Sequence, residues 1–275
     1  MKSTFSIVIC NYNYRNYVGD AILSALKQSY CTSLYEIIIV DDGSDDNSIE
    51  VINKFKYFKN VTVIQHNRNY GQCRSFHSGI SASKYDWICL LDSDDFFFPN
   101  KLEDLASYIN NSSNSPSFIC HNVDLWSASA NLNESWFTRN KIEKSSTTVN
   151  EIKNTYPFSI PCGLSFKSNI IKNVIKEIPL KTWKRGADNP IAWGSFLLTG
   201  KVDYLHKTLS TYRIHDSNYF MGLSNDGFTP KINYLDRWPS LIEFIEKFKS
   251  TNFLYDEQNY NKIKILDFLH NSYKD

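Results

Sequence analysis

The chain has 275 residues, 42% of them hydrophobic and 21% charged. That is an ordinary globular balance, and a chain of this length can bury about three quarters of its unfolded surface. Lys plus Arg number 30 against 29 Asp plus Glu, and the formal charge of +1 excludes the bulk electrostatics of a general nucleic-acid or polybasic membrane binder. No apolar run approaches the ~20 residues of a membrane-spanning helix. The run Phe5–Cys10 is too short for a secretory leader. Six scattered cysteines without a CxxC pair read as reduced thiols, so a cytoplasmic location is expected.

The first hundred residues alternate between buried-strand and helix patterns. Phe5–Cys10 (FSIVIC) is a continuous apolar, β-branched run and predicts a buried strand. Tyr17–Leu26 carries Val18, Ile22, Ala25 and Leu26 at helical spacing. Tyr35–Val40 predicts a second buried strand, Asn47–Phe58 a helix, Val61–Gln65 a short strand and Gly71–Ala82 a weak helix. Trp87–Leu91 predicts a fourth strand, and Pro99 opens a helix over Lys101–Ile109.

Asn110–Pro116 is a polar break, after which the pattern loosens. Phe118–Leu125 predicts a strand, and Ser127–Asn140 a hairpin or loop. Asn150–Ser159 reads as helix or loop, Pro161–Phe166 as a strand and Asn169–Ile175 as a short helix. Asp188–Thr199 has helical apolar spacing, and Val202–Arg213 holds one or two strands. Ser240–Lys249 is amphipathic, and Asn261–Leu269 is a last helix candidate. From Phe228 onward seven basic side chains balance seven acidic ones. That neutrality favours a packing or partner face over an anionic lipid surface. Peripheral contact at a membrane face stays compatible with the sequence, and the oligomeric state has no signature.

Strand–helix alternation predicts an α/β fold with a mostly parallel central sheet, flanking helices and a helical C-terminal tail. Ligands of such sheets bind beyond the carboxyl ends of the strands. Those ends are Asn11-Tyr12-Asn13, Asp41-Asp42-Gly43-Ser44 and Asp92-Ser93-Asp94-Asp95. Like charges gathered at a strand end are costly unless a cation or polar ligand joins them. Asp92-Ser93-Asp94 after the apolar WICLL is an Asp-x-Asp, suited to Mg²⁺ or Mn²⁺ shared with phosphate oxygens.

Together, SIVICNYN, EIIIVDDGS, NRNYG with Gly79, and WICLLDSDD resemble the nucleotide-binding half of family-2 glycosyltransferases of GT-A fold. The resemblance covers residues 4–110 and continues weakly to about residue 220 through Gly186-Ala187-Asp188 and Tyr212-Arg213-Ile214-His215. It implies a nucleotide-sugar-binding half at 1–110, an acceptor-binding half at 111–220 and a tail at 221–275. It further implies that Tyr12 stacks on the base and that Cys10 offers backbone contacts. Asp42 would accept a hydrogen bond from a uracil-type N3–H, with UDP or dTDP sugars favoured. Asp92 would hold the ribose, Ser93 and Arg74 would border the donor, and Asp94 would ligate Mn²⁺ or Mg²⁺. His215 would add a metal or diphosphate contact, and Asp188 would be the catalytic base. Two departures stand out. The helix after Asn69-Tyr70-Gly71 lacks the family's usual Arg, with Arg74 nearby, and Ala187 replaces the first acid of the usual pair before Asp188.

The implied reaction is inverting transfer of a sugar from a nucleoside diphosphate to a carbohydrate or lipid-linked glycan acceptor. Plainer roles stand beside it: Tyr12 as a core aromatic, Asp188 as a helix cap, His215 as a packing side chain. The rival functions are a metal-dependent nucleotidyl or phosphoryl-transfer enzyme and an inactive binding subunit on the same fold.

Overall fold

The computed structural model describes residues 2–129, 134–152, 156–218, 220–224, 227–230 and 238–252. The predicted helix at Asn261–Leu269 lies outside them. The first half follows the sequence closely. Strands β1 (Phe5–Asn11), β2 (Tyr35–Asp41) and β4 (Trp87–Asp92) consist almost wholly of buried side chains, as parallel strands covered on both faces require. Strand β3 (Val61–Gln65) forms the half-exposed edge. Helices α1 (Arg15–Leu26), α2 (Ser48–Asn53) and α3 (Gln72–Ala82) connect them. The predicted 47–58 helix is cut short: α2 ends at Asn53 and turns follow it.

The strand order is β3-β2-β1-β4, all parallel. The chain steps outward from β1 to β3 and then crosses back to β4. Right-handed crossovers therefore put α1 and α2 on one face and α3 on the other. Between β1 and β4 the connections leave in opposite directions, and such a switch point is where open α/β sheets place their ligand crevice. Gly79 lets α3 lie close on the sheet, since a Cβ there would stand 2.4 Å from a Val8 methyl.

Beyond α4 (Lys101–Asn111) the same sheet continues with mixed directions. Strand β6 (Phe118–Ser127) pairs in parallel with the long β10 (Lys201–Ile214), and β9 (Leu164–Lys167) bridges β4 and β6 antiparallel to both. So the sheet is parallel from β1 to β4 and mixed beyond them. Strand β10 is one continuous element, with bulges around Leu205–Ser210. The two-residue β5 (Phe96–Phe97) pairs antiparallel with it at Ser210 and Thr211, which draws the turn after β4 against β10. Neither that strand nor the bulges had a signal in the sequence.

Among its described residues, loosely patterned 128–163 holds β7 (Glu134–Ser135), α5 (Trp136–Arg139), β8 (Ser146–Thr148) and single 3-10 turns. Helices α6 (Ser168–Glu177) and α7 (Asp188–Thr199) form as expected. The tail opens unexpectedly with a hairpin, β11 (Met221–Ser224) and β12 (Gly227–Pro230), before α8 (Trp238–Asn252) packs on α7. All six cysteines are free thiols. No described helix is long and apolar enough to cross a membrane.

One buried cation was not foreseen. Lys101 is 0% exposed, and its ammonium donates to the Cys162 carbonyl at 2.8 Å and stands 3.5 Å from the centre of the Phe97 ring. Burial pushes its pKa down from 10.5 to about 8. The folded chain therefore releases this proton before the unfolded chain does, and stability should rise as the pH climbs from about 8 towards the usual lysine range. At ~1.4 kcal/mol per pH unit the gain is of order 3 kcal/mol. Urea unfolding at about pH 7.5 and about pH 10 is expected to show wild type gaining on Lys101→Met by this amount. An equal gap at both values would refute the assignment.

Candidate active site

Three strand ends meet at the crevice. Register pairs Asn11 with Asp41, and Cys10 with both Val40 and Asp92. The Asp41-Asp42 pair divides its work. Asp41 faces inward, where its carboxylate accepts from Asn11 Nδ2 at 2.8 Å, from Ser44 Oγ at 2.6 Å and from the Ser44 amide at 3.1 Å. It clasps the loops after β1 and β2. Asp42 accepts from the amides of Gly71 at 2.7 Å and Tyr70 at 3.1 Å, and from His66 Nδ1 at 2.7 Å. A carboxylate carries only lone pairs, so Nδ1 bears the proton. His66 Nε2 in turn meets the Ser78 hydroxyl at 2.9 Å. A carboxylate offers about four acceptor positions, so three donors leave Asp42 one more.

The second acidic group differs in kind. Asp92, Asp94 and Asp95 place one oxygen each within 4.8 Å of one another. Burial first, and then the charges of Asp94 and Asp188, hold the Asp92 carboxyl well above the usual range. Asp95, 0% exposed, is raised likewise by burial, then by Asp94 and Asp92. Its Oδ1 accepts the Arg213 amide at 3.0 Å, so β10 is tied to the acidic turn through its backbone. Among the described residues its Oδ2 has no partner of hydrogen-bonding geometry. Asp94 Oδ2 accepts from Asn218 Nδ2 at 3.1 Å and lies 3.3 Å from His215 Nε2.

Asp188 opens α7 and is 8% exposed. Ala187, not Asp188, occupies the N-cap position. Its carboxylate is close enough to help raise Asp92. Gln72 joins the two sides: Nε2 donates to Asp92 Oδ1 at 3.2 Å, and Oε1 accepts the Ala187 amide at 3.2 Å. The amides of Gln72 and Cys73 also reach the carbonyls of Lys184 and Trp183, at 2.8 and 3.1 Å. The start of α3 is thereby pinned to the segment that delivers Asp188.

The other expected residues fall around this centre. Tyr12 is half-buried and is not among the core aromatics. Cys10 is buried, and its thiol is pushed up by burial, then by Asp92 and Asp42, which leaves it inert as a nucleophile. Ser93 is buried in the turn between the aspartates. Arg74 is exposed on α3 with its guanidinium 5.9 Å from the Tyr70 ring centre, and Arg68 stands 4.9 Å from the same ring. His66, Gln72 and Asn218 had no sequence signal of their own. Their partners lie 24, 20 and 124 residues away.

These residues suit a hard divalent cation. Most of the donors are carboxylate oxygens, as Mn²⁺ and Mg²⁺ prefer, with one imidazole beside them. Two of the carboxyls resist ionisation while nothing positive joins them, and one buried oxygen has no partner among the described residues. A cation among them would remove both penalties.

Residues 6–175 match the profile of Glycosyl transferase family 2. The chain belongs to that family. As a family-2 glycosyltransferase it shows 30% identity over 225 residues to an uncharacterized glycosyltransferase of Nostoc sp., covering 80% of this chain and 67% of the relative. Poly(ribitol-phosphate) beta-N-acetylglucosaminyltransferase TarP of Staphylococcus aureus is 28% identical over 212 residues, 76% of this chain and 62% of TarP. Other glycosyltransferase relatives are matched over only 36–41% of their own length. The fold agrees with that of S. aureus TarS 1-349 in complex with UDP, at TM-score 0.72 and 15% identity, over 99% of this chain and 72% of that one. A mannosyltransferase of Pyrobaculum calidifontis in complex with GDP-Man and Mn²⁺ superposes at TM-score 0.61 and 10% identity, over 99% of this chain and 71% of that one. The GT-A architecture expected from the motifs is the one found.

Proposed function

We propose that this family-2 enzyme moves a sugar from a UDP or dTDP donor, with inversion, to a hydroxyl of a cell-surface glycan or polyol-phosphate polymer. One observation carries the reading: three aspartates cluster at the end of β4, and a fourth, Asp188, lies near enough for its charge to raise the Asp92 carboxyl. The relatives support the chemical classes. TarP is named for poly(ribitol-phosphate), and TarS structures contain UDP and UDP-GlcNAc. Residues 1–110 would hold the donor and 111–220 the acceptor. Six free thiols support work in a reducing compartment, at the cytoplasmic side.

In this reading the acceptor hydroxyl gives its proton to Asp188 as its oxygen bonds to the anomeric carbon. The bond from that carbon to the diphosphate oxygen breaks, and the nucleoside diphosphate leaves with the electron pair. Attack from the face opposite the leaving group inverts the centre, and no protein nucleophile is used. Asp94 and His215, with Asp92 and Asp95 beside them, would hold Mn²⁺ or Mg²⁺, which when bound neutralises diphosphate charge. Asp92 would reach the ribose, Tyr12 the base face, and Arg74 the phosphates or sugar. Cys10 and Ser93 line the floor, and Asp42 turns its last acceptor position to the base N3–H.

A thermal-shift series with UDP, dTDP, GDP and CMP, each with and without Mn²⁺, tests the donor site. A ligand at about 100 times its Kd adds ~2.7 kcal/mol of stability. UDP and dTDP are expected to stabilise most. Cytosine presents an acceptor at N3, which would face the Asp42 carboxylate unpaired. Stronger stabilisation by CMP than by UDP would refute the base assignment.

A further inference from the structure

A metal-binding imidazole must aim one nitrogen lone pair, in the plane of its ring, at the ion. Proteins usually set that aim through the other ring nitrogen, which donates to a carboxylate or carbonyl. His215 does not use this device. Its Nε2 faces Asp94, while Nδ1 is buried without a hydrogen-bond partner among the described residues. The Asn218 amide nitrogen lies 3.1 Å from Nε2 and 3.1 Å from Asp94 Oδ2. Donation to Nε2 requires that this nitrogen keep its lone pair, which then points at the Asn218 amide beside Asp94, where a cation held by Asp94 would take it over.

Something else fixes the ring, and helix α1 supplies it. The Tyr17 ring lies flat on the His215 imidazole, with centroids 4.2 Å apart and planes 21° from parallel. Tyr14 meets the imidazole edge-on at 5.8 Å and 77°. The Tyr14 hydroxyl donates to the Ser217 carbonyl at 3.1 Å, which holds the turn carrying His215. Tyr17 is itself held: the Arg213 guanidinium stands 5.2 Å from its ring centre and is paired with Asp20 of the same helix at 2.9 Å. Rotation of the imidazole about its Cβ–Cγ bond would break the flat contact and swing Nε2 off Asp94.

We propose that Tyr17 is a positioning residue for the divalent cation, its ring setting the plane of His215, whose Nδ1 finds no hydrogen-bond partner among the described residues. The proposal rests on the reading of Asp94 and His215 as cation-holding residues, and the experiment separates the two. Mn²⁺ alone, without nucleotide, is titrated by calorimetry into the full chain as wild type, Tyr17→Leu, Tyr17→Phe, His215→Ala and the Tyr17→Leu/His215→Ala double variant. Thermal unfolding without metal checks each fold, and Tyr17→Met, which fills volume without a flat face, replaces Tyr17→Leu if that variant unfolds.

Loss of an orienting partner typically weakens metal binding about 10–100-fold. Tyr17→Leu is expected to lose about tenfold or more in Mn²⁺ affinity, with metal-free unfolding close to wild type. Tyr17→Phe, which keeps the ring, should stay within about threefold of wild type, and the double variant should bind no worse than His215→Ala alone. Weakening by His215→Ala with normal binding by Tyr17→Leu would overturn the proposal and leave the metal site standing. Additive losses in the double variant would also overturn it, because Tyr17 would then act elsewhere. Normal binding by His215→Ala would remove His215 from the ligand set and the proposal with it.

Discussion

Asp188→Asn is expected to fold, to bind nucleotide like wild type and to lose about 10²–10⁴ in transfer rate. That loss equals roughly 3–5.5 kcal/mol of barrier at 1.36 kcal/mol per decade. The fold should survive for a local reason. Ala187 holds the N-cap position of α7, so Asp188 is not that helix's capping residue, and Asn matches its size and polarity. Asn cannot take a proton from an acceptor hydroxyl at neutral pH. Donor affinity should hardly move or should improve slightly, because one of the charges that raise Asp92 disappears. Calorimetry with nucleotide and a rate measurement with a working acceptor, on the same variant, decide the matter. A near-normal rate would return the search for a base to another carboxylate, with Asp95 the next candidate.

Chelation with excess EDTA should abolish transfer, Mn²⁺ or Mg²⁺ should restore it, and Asp94→Ala should resist restoration. Neutralising diphosphate charge is worth several kcal/mol, so a loss of about 10³ or more in rate is expected. Asp94→Ala also removes a carboxylate that helps hold the Asp92 and Asp95 carboxyls high. The metal-free variant should therefore be no less stable than metal-free wild type, and thermal unfolding without metal provides that second reading. Full activity in EDTA would refute the metal dependence. Normal activity of Asp94→Ala would refute the ligand assignment.

These two variants divide the site as the chain does. Asp94 lies in a turn whose character is local: an apolar strand, then three acids within four residues. The first four strands and their parallel direction were legible for the same reason. Continuous β-branched runs separated by helical spacing leave few right-handed arrangements. The family motifs sit on the ends of those strands, so Tyr12, Asp42, Asp92 and Asp94 could be placed from residue order alone.

What the sequence could not decide depends on partners far along the chain. Asp41 and Asp42 are adjacent and chemically identical. Only the packed structure turns one to the Asn11–Ser44 clasp and the other to His66 and the amides of Tyr70 and Gly71. A side chain's period along a strand says which face it takes, and the groups waiting there come from other segments. Gln72 reads as an ordinary polar residue at the start of a weak helix, yet it links Asp92 to the amide of Ala187, 115 positions away. The buried Lys101 had no signal because a lysine inside one helical turn looks like any solvated lysine. His215 gained a resemblance to a metal residue, but its aim is set by Tyr17 on the first helix, a contact that exists only once β10 has crossed the sheet. Local patterning specified the scaffold and the acidic turn of this protein. The division of labour among its carboxylates and the orientation of its imidazole were decided by tertiary packing, because hydrogen bonds and ring stacking act over a few ångströms and residues distant in sequence meet only in the fold.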